Sequence, residues 1–341
     1  MRVVISGGGT GGHLFPALTI ALYLKNKGYD VLYIGAKRRI EEKVVPKCGI
    51  EFMAIDVIGL GKSIFDKFKF MTKQVKAIKE IKSILKEFKP NVVVGWGGYA
   101  SFATLTAANM LKIPTIIHEQ NAVMGRANKL LTYKADKVLT CFPKVHAKEI
   151  VVGNPRASEA FKLKMKPRNR IKKVLLVMGS QGSSTVNKII SDYLDIRNNH
   201  YLVSIICGKG HIDIYKGANL DGVELIEFTN KSLQLFAESD LVVTRGGATT
   251  LAELSALGKP LIIIPSPYVY KNHQYYNALY YKKNKAAIIL KEDDLTSEKL
   301  RESIEEIINF NFKRELMSNN SENCAFVDAN EKILRIIDMY I

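Results

Sequence analysis

The segment Gly7–His13, GGGTGGH, puts five glycines, a threonine and a histidine where a run of apolar residues gives way to a helical pattern. Glycines let the backbone come close to a ligand, and a helix amino terminus offers unpaired N–H groups and partial positive charge to an anion. His13 puts an imidazole, the side chain whose unperturbed pKa lies nearest neutrality, beside such a terminus, where it is placed for proton transfer, although it could equally cap or pack the loop. A second constellation lies at Ser239–Pro265, where Arg245-Gly246-Gly247 precedes a helix carrying Thr249, Thr250 and Glu253. Two glycines and two hydroxyls at a helix start suit a pyrophosphate, and Glu253 one turn on suits ribose hydroxyls. The plainer alternative is a tight turn, an N-capping threonine and a first-turn acid. After it, Pro265–Ala278 offers Asn272, His273, Gln274 and Asn277 to sugar hydroxyls, or to solvent. No Asp-x-Asp and no His/Cys cluster with ligand spacing occurs, so no metal site is expected and a leaving group would be neutralised by helix dipoles and side chains.

These groups sit on a repeated scaffold. Short β-branched runs alternate with amphipathic stretches, the pattern of parallel sheets covered on both faces. The first half predicts strands at Arg2–Ser6, Val31–Ile34, Val92–Val94, Thr115–His118 and Lys137–Thr140, with a helix over Ala17–Lys27. VVGNPRA, from Val151, reads as a linker. The pattern then restarts: Lys173–Met178 runs into GSQGSS and a helix, and strands follow at Leu202–Cys207, Glu224–Glu227, Leu241–Thr244 and Leu261–Pro265. The expectation is an α/β chain of two Rossmann-like domains with parallel sheets facing each other across a cleft, ligands lying at the carboxyl ends of the strands.

The chain has 341 residues, 47% apolar and 24% charged, an ordinary globular balance with room for two cores. Its net charge of +17 favours an anionic partner, unless it reflects lysine-rich composition in general. Cys48, Cys141, Cys207 and Cys324 form no framework, which fits a reducing compartment. The opening MRVVISGGG is expected to be a strand of the fold rather than a signal peptide, and no apolar run is long enough to span a bilayer.

Gly7, Gly9 and Gly12 also satisfy GxGxxG, so a dinucleotide enzyme is a rival reading. Its second strand should end in an acid for the ribose; Ile34-Gly35-Ala36 leads instead to Lys37, Arg38 and Arg39, which would suit the 2′-phosphate of NADP. That reading leaves the second glycine loop unexplained.

GGGTGGH, GWGGYAS at Gly95–Ser101, HEQN at His118–Asn121, GNPR at Gly153–Arg156, GSQG at Gly179–Gly182, RGGATTLAE at Arg245–Glu253 and HQYYNA at His273–Ala278 resemble, in order and spacing, the motifs of the MurG family. The resemblance covers nearly the whole chain. It implies GT-B architecture and an inverting, metal-independent transfer of GlcNAc from UDP-GlcNAc to the muramoyl 4-hydroxyl of lipid I, giving lipid II for peptidoglycan, with no cofactor. By the same resemblance residues 1–155 would form the acceptor and membrane-associating domain, with a helix at about 325–341 packed back on it. Residues 156–324 would form the UDP-GlcNAc domain. Thr10, Gly11 and Gly12 would lie by the donor sugar and diphosphate, His13 would be the general base, and Asn121 would bind the donor GlcNAc. Arg156 and Ser180 would contact the diphosphate side, and Thr229 would border the uracil. Ala248, Thr249, Thr250, Leu251, Ala252 and Glu253 would hold phosphate and ribose, and Gln274 the transferred sugar. GNPR is one residue shorter than the family's GNPVR, and Met178 replaces a common glycine.

Residues 59–89 hold nine lysines against Asp66, Glu80 and Glu87, a net +6. Ile64, Phe65, Phe68, Phe70 and Met71 alternate with lysines, among them Lys69, as expected of a loop docking on anionic lipid, or of a core-filling connection. The following helix would bury Val75, Ile78, Ile81, Leu85 and Phe88. The expected location is the cytoplasmic face of the cell membrane, as a peripheral protein of a cell-wall synthesis complex, with no nucleic-acid partner. Besides the dinucleotide enzyme, the alternatives are another GT-B enzyme with a lipid acceptor, and a scaffold that binds nucleotide sugars without chemistry.

Overall fold

The computed structural model describes residues 1–59, 63–165, 173–179 and 181–340. The chain divides into two compact units, Met1–Arg156 with Val327–Ile341, and Ala157–Phe326.

Unit 1 contains β1 (Arg2–Ser6), β2 (Asp30–Ala36), β3 (Glu51–Ile55), β4 (Val92–Gly95), β5 (Thr115–Glu119), β6 (Lys137–Thr140) and β7 (Glu149–Val151). They pair in the order β3-β2-β1-β4-β5-β6-β7, all parallel. One face packs on helix Gly11–Asn26 through Leu14, Ala17, Ile20 and Leu24. The terminal helix Ala329–Ile337 joins that same core through Ile333, Ile336 and Ile337. The opposite face packs on helices Ile64–Phe88 and Tyr99–Met110. Unit 2 contains β8 (Lys173–Val177), β9 (Leu202–Ile206), β10 (Val223–Ile226), β11 (Leu241–Thr244), β12 (Leu261–Ile263) and β13 (Ala287–Ile289), ordered β10-β9-β8-β11-β12-β13 and again parallel.

Both orders are doubly wound. Each reverses between the unit's first and fourth strands, and such a reversal leaves a crevice outside the strand carboxyl ends. In unit 1 that point lies between β1 and β4, whose last residues Ser6 and Gly95 are in register. In unit 2 it lies between β8 and β11, where Val177 faces Thr244. The chain leaves these four strands into GGGTGGH, GWGGYAS, GSQG and RGGATT, so pairing alone gathers the glycine motifs two by two.

Three strands escape the sequence reading. β7 and β13 have only three residues each, and β3, an outer strand, shows a mixed burial pattern. The expected linker at Val151–Ala157 is ordered: β7 ends there and helix Pro155–Phe161 begins, with Asn154 Oδ1 accepting from Arg156 N at 3.0 Å. The aromatic stretch is not a loop. It forms the opening turns of helix Ile64–Phe88, started by a capping box in which Asp66 N donates to Ser63 Oγ at 3.0 Å and Ser63 N to Asp66 Oδ2 at 3.3 Å. The inner stripe of this helix is Gln74, Ala77, Ile81 and Leu85. Val75, expected inside, is 64% exposed because at 100° per residue it lies more than a quarter-turn round the helix from the middle of that stripe.

Candidate functional site

At the switch point of unit 1, Thr10 is the N-cap of helix Gly11–Asn26 but makes no side-chain cap bond. Its Oγ1 instead meets His13 Nδ1 at 3.0 Å. If Nδ1–H donates to that hydroxyl, Nε2 keeps its lone pair, the tautomer a base requires. The Nε2 edge of the ring lies over Gly97: a Cβ there would stand 3.2 Å from both Cδ2 and Nε2. Gly97 and Gly98 have φ of 94° and 88°, and a Cβ on Gly98 would lie 2.7 Å from the Gly8 carbonyl oxygen. The two glycines of GWGGYAS thus let the second loop of this unit press against the first.

The HEQN motif divides its labour. His118 is fully buried, stacked on Trp96 with ring centroids 5.4 Å apart. Its Nε2–H donates to Gly153 O at 2.9 Å, which leaves Nδ1 to accept from Gln120 Nε2 at 3.2 Å. Burial pulls its pKa down to about 4, so it is a neutral structural imidazole with both nitrogens engaged. Glu119, which sequence reasoning passed over, is the organiser. One carboxylate oxygen accepts from Asn121 N and Nδ2 at 3.1 and 3.2 Å, the other from Gly125 N and Asn128 Nδ2 at 2.9 Å each. Asn128 Nδ2 also lies 3.6 Å from the Cβ position of Gly97. Contacts therefore run from His13 through Gly97 and Asn128 to Glu119 and Asn121. Arg156 is half-buried in the first turn of helix Pro155–Phe161, at the end of unit 1.

In unit 2 the loops after β8 and β9 touch backbone to backbone: a Cβ on Gly208 would lie 2.4 Å from Gly182 N. Ser180 lies outside the described residues. After β11, Arg245 is buried and bonded through Nη2 to Glu292 Oε2 at 2.6 Å. Helix Ala248–Ala256 begins at Gly247 with no side-chain cap, which leaves the positive end of its dipole uncompensated by a cap. Thr249, Thr250 and Ala252 are half-buried there, and Ala248 and Glu253 are buried. Leu251 does not fit the expected ligand contact: its side chain is fully buried in the core and its N–H donates to Gly247 O at 3.0 Å. Gln274 is half-buried, and its Oε1 accepts from both Gly246 N at 3.1 Å and Ser266 N at 2.9 Å. That fixes the amide, turning Nε2, which has no acceptor among the described residues, into the group available to a ligand. Thr229 is on the loop after β10, separated from β11 by the two strands β9 and β8, and its Oγ1 accepts from Lys231 N at 3.0 Å.

On helix Ile64–Phe88, Phe65 and Phe68 are 83% and 69% exposed, and Met71 and Lys69 are also exposed. Phe70 turns the other way and packs edge-on against Tyr99, ring centroids 5.6 Å apart. Among the described residues no helix is long and apolar enough to cross a membrane, and no group of three or more His, Cys, Asp or Glu side chains is placed to hold a metal.

Two doubly wound parallel sheets with glycine-lined switch points define the GT-B fold, and the family of the chain defines its class as a glycosyltransferase. Residues 3–140 match the glycosyltransferase family 28 N-terminal domain and residues 173–333 the family 28 C-terminal domain. The chain is 38% identical to the UDP-N-acetylglucosamine--N-acetylmuramyl-(pentapeptide) pyrophosphoryl-undecaprenol N-acetylglucosamine transferase of Bacillus cytotoxicus, over 99% of this chain and 98% of that protein. It is 37% identical to the protein of the same name from Halalkalibacterium halodurans, over 99% of each. The crystal structure of Acinetobacter baumannii MurG superposes with a TM-score of 0.82 at 26% identity, covering 99% of both chains. The chain belongs to the MurG family. The dinucleotide alternative falls with that result, and the Gly9 N–H, which would face a pyrophosphate in such a site, is already bonded to the buried carboxylate of Glu41.

Proposed function

We propose that this protein transfers GlcNAc from UDP-GlcNAc to the 4-hydroxyl of the N-acetylmuramyl sugar of an undecaprenyl-pyrophosphoryl muramyl-pentapeptide, lipid I, giving lipid II. The full-length likeness, at 37–38% identity, to proteins named for this transfer carries the reading. Unit 2 holds the donor. The uncapped start of helix Ala248–Ala256, with Thr249 and Thr250, receives the diphosphate, and Glu253 the ribose. Thr229 borders the uracil, Gln274 Nε2 donates to a sugar oxygen, and Arg156 and Ser180 serve the diphosphate side. Unit 1 supplies the acceptor side. Asn121, oriented by Glu119, contacts the sugar, and Thr10, Gly11 and Gly12 border the reacting groups.

His13 Nε2 removes the proton of the acceptor hydroxyl as its oxygen attacks C1; the C1–O bond to UDP breaks and its electron pair leaves on the diphosphate. One displacement inverts the anomeric centre without a metal. Preorganised N–H groups at helix starts stabilise the charge that develops on the leaving group. The exposed Phe65–Phe68–Met71–Val75 stripe, with Lys69 beside it, supports peripheral docking on the anionic cytoplasmic face of the membrane, where cell-wall synthesis partners would be met.

The test is turnover of UDP-GlcNAc with a lipid I analogue by the wild type and His13→Ala. The wild type is expected to form the β-linked disaccharide, and the variant to lose about 100- to 10,000-fold in kcat, the usual contribution of a general base. Near-normal turnover by the variant removes His13 from the role; absence of turnover by the wild type refutes the function.

A further inference from the structure

The first glycine loop contains an anion of its own. Glu41 lies just past β2, in the short helix Ile40–Val44, and is fully buried. Gly9 N donates to its Oε1 and Oε2 at 3.1 and 3.2 Å, and Ala36 N donates to Oε1 at 3.2 Å. No lysine, arginine or histidine among the described residues forms an ion pair with it. A buried carboxylate without a cation survives only where oriented N–H dipoles replace its hydration, and here Gly9 N in the loop and Ala36 N at the end of β2 supply them. The chain makes room for it twice. A Cβ on Gly8 would stand 2.2 Å from Oε1, and one on Gly35 2.8 Å from Cγ. From β2 itself, the buried Tyr33 hydroxyl donates to Gly7 O at 2.6 Å. Gly7 and Gly9 are therefore both clamped by β2 and the turn behind it, and the next residue, Thr10, carries the bond to His13.

We propose that Glu41 is a positioning residue for the transfer. It fills the anion-binding bend of the first glycine loop from inside the protein, fixes Gly8–Thr10 so that Thr10 aims the His13 ring, and closes that bend to substrate phosphates. Diphosphate recognition is thereby left to other groups, although the two glycine loops look alike in sequence. The proposal rests on the reading of His13 as the base of a GlcNAc transferase.

Glu41→Gln keeps the shape but removes the charge and points an NH₂ at one of the N–H donors; Glu41→Asp keeps the charge but withdraws it by one methylene. In Glu41→Gln, kcat is expected to fall about 100-fold, the order found when a catalytic group is displaced by about 1 Å. The KM for UDP-GlcNAc and the affinity for UDP should stay within about two-fold, because they report unit 2. Glu41→Asp should fall about ten-fold with the same split, and it serves alone if the glutamine variant does not fold. Amide exchange of the peptide spanning Gly7–His13 should quicken about ten-fold in both variants, with other segments unchanged. A kcat within two-fold of wild type, an unchanged loop exchange, or a loss of UDP affinity parallel to the loss of kcat overturns the proposal. If the wild type itself transfers nothing, the function reading fails, and the exchange comparison still decides whether Glu41 holds the loop.

Discussion

The proposed role of Gln274 gives one side chain a structural bond and a ligand contact that substitution can separate. Its Oε1 is shared by the backbone N–H groups of Gly246 and Ser266, at 3.1 and 2.9 Å, while Nε2 has no acceptor among the described residues and is the group proposed to meet the donor sugar. Gln274→Glu preserves the acceptor and strengthens it by charge, so the loop should stay in place. It loses the donated bond, worth about 1 kcal/mol net. It also sets a negative charge near the diphosphate, and against the nearer phosphate, at about 8 Å and an effective dielectric of about 20, that costs about 2 kcal/mol. Together these give about 3 kcal/mol, or about 100-fold in the KM for UDP-GlcNAc, with the melting temperature within about 2 °C of wild type. Gln274→Ala does the reverse to the fold. It orphans two part-buried N–H groups at about 1–3 kcal/mol each, and the melting temperature should fall by about 5–10 °C. Initial rates across a UDP-GlcNAc series, with calorimetric scans of the three proteins, read both effects. A Gln274→Glu enzyme with KM within three-fold of wild type refutes the assignment of Nε2, and a Gln274→Ala protein as stable as wild type refutes the strut.

Replacing Phe65 and Phe68 by Ser and Lys69 by Glu removes two exposed rings and reverses one charge, and should weaken binding to vesicles containing anionic lipid at least ten-fold. Turnover with a soluble acceptor analogue should be unaffected, and unchanged vesicle sedimentation would count against the docking face. His118 gives stability a pH dependence. Burial holds its pKa near 4, below the ordinary 6.5, so between these values the unfolded chain binds a proton that the native one does not. The contribution is complete above pH 6.5 and is lost as pH falls toward 4, about 3 kcal/mol in all. Urea unfolding at pH 7 and pH 4.5 should show this loss in the wild type and not in His118→Gln; equal losses in both would sink the explanation.

Sequence alone marked the local units: strand, glycine loop, helix, then the same again, because a buried parallel strand and the turn that ends it are written in contiguous residues. The stripe of exposed aromatics and lysines was legible for the same reason, although its helix was not, and the capping signal Ser63-x-x-Asp66 was there to be read. What only tertiary structure decided is which loops meet. GWGGYAS lies about ninety residues from GGGTGGH, and the parallel pairing of β1 with β4 alone puts Gly98 against the Gly8 carbonyl and Gly97 beneath the His13 ring. Direction was also invisible. Leu251 lies between the half-buried Thr250 and Ala252, yet 100° of helical rotation sends its side chain into the core. Glu41 and Glu119 looked like ordinary charged residues, since nothing in a sequence says which N–H groups a carboxylate will find once it is buried. Charge pairing over a few residues is a local property; the hydration that a buried carboxylate exchanges for backbone dipoles depends on how the strands are stacked.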